Sequence, residues 1–184
     1  MIGANFPAVL DLAQRRDERA MEVLYRDLAP SVLGYLRSQG VTDPEDVASE
    51  VFISLVRGLA TFEGDERAFR SWAFTIAHHR MVDERRRSAR RPEEPVELPK
   101  LALVAGGSAT VEHQVLSNVG ETQALAVLGT LTEDQRAVVL LRVFMDLSVA
   151  DVAAILDKRE GAVKTLQRRA LARLAASVSP EPVS

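Results

Sequence analysis

The chain has 184 residues, enough for one ordinary domain or two small ones, and a hydrophobic content of 47% can fill real cores. Aromatics at 5% argue against large sheet-packed cores, while the Ala, Leu, Val, Arg and Glu content leans helical. A formal charge of -3 gives no global attraction to nucleic acid, so local patches must decide, and the lack of cysteine excludes disulfides, thiolate metal sites and a cysteine nucleophile.

From about Pro7 to Arg91 the pattern is helical. Met21, Leu24, Leu28, Val32 and Leu36 recur at three and four, a core-facing stripe. In SQGVTDPED, Gly40 stops that helix, Asp43 is the expected N-cap of the next and Pro44 its first residue. Val47, Val51, Leu55 and Leu59 then line one side. TFEGDER interrupts, with Gly64 permitting a turn, and a helix from roughly Arg67 ends in a burst of arginine. Residues from about Pro92 to Ala109 carry three prolines, two adjacent glycines and no period, the marks of a flexible linker.

A second helical block runs from about Val111 to Ala176. It predicts a helix near 111–129, one opened by Thr132, one opened by Ser148 with Asp151, and one near Glu160–Ala175. No segment alternates with period two. The fold class is therefore all-α: two small helical domains joined by a flexible linker, over 1–91, 92–110 and 111–178, with a tail at 179–184. SVADVAAILDKREGAVKTLQRRALARL is a helix-turn-helix. Val149, Val152, Ala153 and Leu156 face inward on its first helix, and Val163, Leu166, Ala170 and Leu174 on its second. Asp157 can tolerate a left-handed conformation in the turn, where glycine would be easier, and Ala153 and Ala154 allow a close crossing. Lys164, Thr165, Arg168 and Arg169 point outward, with hydroxyl and guanidinium groups for base edges and cations for phosphates. A plain helical hairpin with a solvated basic face is the alternative.

FRSWAFTIAHHRMVDERRRSARRP starts amphipathic and ends basic. Phe69, Trp72, Ala73 and Ile76 share one face for packing. The arginines after Met81 suit phosphates, and a loop with Phe62 and Gly64 beside the helix suits an unstacked base. His78 and His79 point about 100° apart on a helix, so one metal ion cannot easily use both. No metal and no cofactor is expected. The start of the chain lacks the pattern of a signal peptide, and no apolar run is long enough to insert in a membrane, so a cytoplasmic protein is expected.

In combination these segments resemble the extracytoplasmic-function group of bacterial sigma factors, which carry the second and fourth conserved sigma regions. LYRDLAPSVLGYLRSQGVTDPEDVASEVFISLVRGLATFEGDERAFRSWAFTIAHHRMVDERRR is similar to the second region, with DVASEVF, F-x-G, FRSW and I-A-x-x-x-x-x-D at the family's spacing. LTEDQRAVVLLRVFMDLSVADVAAILDKREGAVKTLQRRALARL is similar to the fourth. The resemblance implies a promoter-specificity subunit that binds core RNA polymerase and promoter DNA; an inhibitory anti-sigma partner is common in the group. Asp46, Glu50, Val51, Phe52 and Leu55 match the helix that docks on polymerase. Phe62, Gly64, Asp65 and Arg67 match the loop, and Trp72, His78, His79 and Asp83 the helix, that open the minus-ten element and hold a flipped base; Arg80, Arg86 and Arg87 belong to the run expected to hold phosphates. Arg136, Arg142, Lys164, Thr165, Arg168 and Arg169 match positions that read the minus-thirty-five duplex.

Two departures stand out. His79 stands where members commonly have asparagine, which implies a different base at the pocket. Leu166 and Gln167 break the usual run, leaving the register of the last helix open by a residue. Two other classes compete: a freestanding dimeric helix-turn-helix regulator, which leaves the 46–59 helix and the arginine-ended helix unexplained, and a helical interaction protein with solubilising basic faces. An enzyme has least support, because no phosphate loop, nucleophile constellation or carboxylate–histidine set is present.

Overall fold

The structure, a computed structural model, describes residues 1–90 and 127–178. The chain divides between Leu98 and Pro99 into two compact units. The expected linker over 92–110, the tail over 179–184 and most of the expected 111–129 helix lie outside the described residues; of that helix, 127–129 are described and helical.

In the first unit a 3-10 turn at Gly3–Asn5 leads into α1 (Phe6–Gln14), α2 (Glu18–Ser38), α3 (Pro44–Leu59) and α4 (Glu66–Arg90). Asp17 caps α2 through the Ala20 amide, and Asp43 caps α3 with Pro44 at its first position. Asp65 starts α4: its carboxylate accepts from the Ala68 amide at 2.8 Å and its carbonyl from the Phe69 amide at 2.9 Å. Leu24, Leu28, Val32, Tyr35 and Leu36 of α2 meet Val47, Val51, Leu55 and Leu59 of α3. From α4 come Phe69, Ala73, Phe74, Ala77 and Met81, and from α1 Phe6, Leu10 and Ala13. Phe74 and Met81 are more deeply buried than Trp72 and Ile76, so the packed face of α4 is rotated from the expected one. Beyond Met81 the helix outruns its support and its side chains become largely exposed.

One ionic group sits in this core. Arg70 is 8% exposed; its guanidinium pairs with Asp27 of α2 and lies 3.7 Å from Glu66. A buried cation is tolerated only with such partners.

In the second unit α5 (Glu133–Val139) runs into a π-helical turn at Leu140–Phe144, followed by α6 (Val149–Ile155) and α7 (Glu160–Val178). Thr132 with Gln135, and Ser148 with Asp151, form reciprocal capping boxes. Val138, Leu141, Leu147, Val152, Ile155, Val163 and Ala170 make the core. Asp157 is left-handed, at φ 50°, as its place in the turn predicts, and Asp146 does the same at φ 51° before α6. Ala153 is buried at the α6–α7 contact but Ala154 is exposed, so only one of the two alanines permits the crossing. The register of α7 resolves: Val163 and Ala170 point inward, Lys164, Arg168 and Arg169 outward, and Leu166 and Gln167 sit half-buried between. Among the described residues there is no strand, and no helix is long and apolar enough to cross a membrane.

Candidate nucleic-acid and partner interfaces

The 3.6-residue period of α4 places Trp72, Ile76, His79, Asp83 and Arg86 on one stripe, from half-buried at its start to exposed at its end. His79 is exposed at the middle of this track. His78, one position earlier, turns toward the core, where its Nδ1 lies 3.0 Å from the buried Tyr35 hydroxyl. The sequence expectation gave both histidines to DNA; in the structure Nδ1 of His78 is taken by the Tyr35 hydroxyl, which ties α4 to α2, and His79 is the exposed one of the pair.

The loop before α4 is tightly built. The Phe62 ring stacks on Trp72 with centroids 5.1 Å apart and planes 15° apart, and meets Phe69 edge-on. Gly58 lies against the indole: a Cβ there would stand 2.7 Å from Cζ2 of Trp72. Gly64 has φ +152°, and a Cβ on it would come within 2.8 Å of the Ala68 Cβ, so glycine is required twice over. Phe62 therefore offers a loop pocket one face only, and the Asp65 carboxylate is already used on the helix start. Arg67 is exposed beside it.

On α3 the expected polymerase-facing set divides. Val51 is 0% exposed and belongs to the core; Leu55, at 4%, is packed inward but lines the floor of the groove beside Phe52, and apolar character alone did not distinguish the inner face of α3 from the outer. Asp46 is exposed, and Glu50 and Phe52 are half-exposed. Phe52 rests on the exposed Tyr25 of α2 with ring centroids 4.6 Å apart. Together with Met21, Leu28 and Val56 these rings line an apolar groove of about 270 Å³. Sequence reasoning missed Tyr25 and Val56, whose signal is an apolar residue on the outer side of an otherwise amphipathic helix.

Glu50 also faces α4. Its carboxylate lies 3.7 Å from both Arg80 and Arg87, and Arg80 donates to the Ser54 hydroxyl at 3.0 Å. Arg86 lies 3.9 Å from Asp83, and Arg87 3.2 Å from Glu84. Pairs this exposed are weak, at about 0–1 kcal/mol, so the arginines can exchange carboxylates for phosphates at little cost.

In the second unit, Lys164, Arg168 and Arg169 are exposed on α7, and Lys164 reaches back to Glu160 only at 3.9 Å. Among the described residues Arg168 and Arg169 have no acidic partner. Thr165 is half-buried and its hydroxyl donates to the Gly161 carbonyl at 2.9 Å. Arg136 and Arg142 are held differently. Arg136 donates to the Leu128 and Leu131 carbonyls, each at 3.1 Å, and Arg142 to the Leu147 carbonyl. Both guanidiniums brace turns around the helix-turn-helix, a structural role that the sequence expectation of a DNA contact did not include.

Comparison with known proteins agrees with this division. Two family models match, Sigma-70 region 2 over residues 24–91 and Sigma-70, region 4 over residues 122–174. The chain is 32% identical to the ECF RNA polymerase sigma factor BldN of Streptomyces coelicolor, over 94% of this chain and 65% of that protein. It is 30% identical to the ECF RNA polymerase sigma factor RpoE of Cereibacter sphaeroides, over 89% of this chain and 88% of the other. Among solved structures, CnrH in complex with the cytosolic domain of CnrY matches with a TM-score of 0.60 at 26% identity, covering 93% of this chain and 95% of that one. With both regions present in order and relatives aligned along most of its length, the chain belongs to the ECF sigma factors of bacterial RNA polymerase.

Proposed function

We propose that this protein binds core RNA polymerase and directs it to a promoter, reading the minus-thirty-five duplex with α7 and opening the minus-ten element with α4 and the loop before it. The observation that carries this reading is the α4 track: Trp72, Ile76, His79, Asp83 and Arg86 lead from an aromatic-walled loop to an exposed basic end. A duplex reader has no use for such a track, whereas an extruded base and a separated strand need both of its ends.

Asp46, Glu50 and Phe52, with Tyr25 beside them, form the docking face for polymerase; a mixed acidic and apolar surface suits a partner carrying arginines. Phe62, Gly64 and Arg67 form the base pocket at the start of the α4 track, His79 supplies a hydrogen-bonding edge farther along it, and Arg80, Arg86 and Arg87 hold phosphates of the opened strand. Lys164, Thr165, Arg168 and Arg169 lie along the upstream duplex. The chain performs no catalysis of its own and acts in the cytoplasm on nucleoid DNA. An inhibitory protein is a further partner; the structure of the relative CnrH is that of a complex with the cytosolic domain of CnrY.

Run-off transcription with purified core polymerase, this protein and a genomic promoter library tests the proposal. Transcripts that start at a shared upstream-plus-downstream motif only when the protein is present are expected. Transcription independent of it, or binding to a palindrome without polymerase, would overturn the reading.

A further inference from the structure

The loop over 60–65 is held from outside by α1. Both hydrogens of the Gln14 amide are used: Nε2 donates to the Leu59 carbonyl at 3.0 Å and to the Phe62 carbonyl at 2.7 Å. Leu59 ends α3 and Phe62 carries the ring that walls the loop, so one side chain joins the loop's root to its middle. The Leu59 carbonyl also accepts the Phe62 amide at 3.1 Å, closing a turn that Gln14 spans. Gln14 is itself fixed, because α1 buries Phe6, Leu10 and Ala13 and the Phe6 ring packs on Phe69 at 5.6 Å. A second tie lies at the other end of the loop: the Ile2 and Gly3 amides donate to the Glu66 carboxylate at 2.8 Å each. Residues 1–23 precede the segment matched to Sigma-70 region 2, yet they supply the outside supports of the loop.

We infer that Gln14 is a positioning residue for base capture, setting the backbone of the loop so that Phe62 and its neighbours meet the extruded base in one fixed geometry. The inference rests on the reading of this loop as the base pocket. The physical reason is preorganisation: a pocket that discriminates between bases must hold its groups in place before the base arrives. Without the amide, the two carbonyls turn to water and the loop gains alternative conformations, which weaken the preferred base more than the others.

The test uses the full chain with core polymerase on promoters varied at each downstream position, read by permanganate reactivity. Gln14→Met keeps length and packing but donates nothing; Gln14→Glu sets a carboxylate against two carbonyls. Both variants should lose about threefold to tenfold of the base discrimination, Glu the more, as expected for one or two net hydrogen bonds. Affinity for core polymerase and for the upstream duplex should remain at the wild-type level. His79→Ala, an exposed position, separates this inference from the reading beneath it. If His79→Ala erases discrimination while both Gln14 variants retain it, the role of Gln14 is overturned and the pocket stands. If His79→Ala also discriminates as wild type, the pocket reading fails and the inference falls with it. If the Gln14 variants lose core affinity in step with opening, Gln14 is a general support of the fold and the positioning role is refuted.

Discussion

Arg16 illustrates what a single residue contributes. It ends α1 at φ 67°, a conformation that costs a side-chain-bearing residue about 1–2 kcal/mol and glycine almost nothing. Arg16→Gly should therefore raise stability by about 0.5–1 kcal/mol, after the greater freedom of glycine in the unfolded chain is subtracted; urea unfolding checks the sign. The same conformation at Asp157 is legible in the sequence, because a short polar turn between two apolar helices demands it and aspartate tolerates it. At Arg16 nothing in RRD marks the turn, so the strain emerges only from the structure. Glu45 gives a pH dependence of defined sign. A hydrogen bond from Arg37 holds its carboxyl below the ordinary 4.5, so the pair stabilises the fold above that pH and is lost as pH falls through the lowered value. The effect is small, since Glu45 is largely exposed. Glu45→Gln should cost slightly at neutral pH and progressively less as the pH falls below the ordinary carboxylate range, as denaturant midpoints along an acid series would record.

At the scale of elements, α3 shows where sequence periodicity succeeds and where it stops. Val47, Val51, Leu55 and Leu59 are all buried, as their spacing predicts. The same spacing cannot say that Val51 is therefore lost to any partner, because a list of matching residues merges the two faces of one helix. Phe52 and Tyr25 are what remains outside. Phe52→Ala should weaken binding to core polymerase by about 2 kcal/mol or more with little effect on the fold; a titration of core showing unchanged affinity would remove this face from the interface. Glu50 is a subtler position, because it serves α3 and α4 together. An arginine there would stand beside Arg80 and Arg87 and disturb α4 by repulsion, so Glu50→Gln is the cleaner probe of docking. In the second unit, capping residues Thr132 and Ser148 were legible because cap chemistry is local. The turn-bracing roles of Arg136 and Arg142 were not, since an arginine in a basic helix-turn-helix reads equally well as a DNA contact until its carbonyl partners are seen.

At the scale of the whole molecule, the proposed function depends on two units that would handle DNA in different states. Helical class and the basic faces could be read from the sequence, because each is written in period, caps and charge; the order of the regions came from the resemblance of its motifs to the family. The path of the α4 track, and which histidine lies on it, required the fold: His78 and His79 are chemically identical and differ only in which side of the helix Tyr35 stands. Replacing Lys164, Arg168 and Arg169 with alanine should weaken upstream duplex binding and lower its log–log salt slope by up to about three, near one per phosphate contact. DNase I footprinting of the upstream duplex, paired with permanganate footprinting of the downstream thymines in the same complex with core polymerase, tests the division most directly. With His79→Ala, upstream protection should persist while downstream thymines stay unreactive; with the triple alanine variant, occupancy should fall, and the thymines should become reactive once protein concentration restores it. Wild-type opening by His79→Ala, or upstream protection undisturbed in the triple variant, would contradict the assignment of opened strand to α4 and duplex to α7.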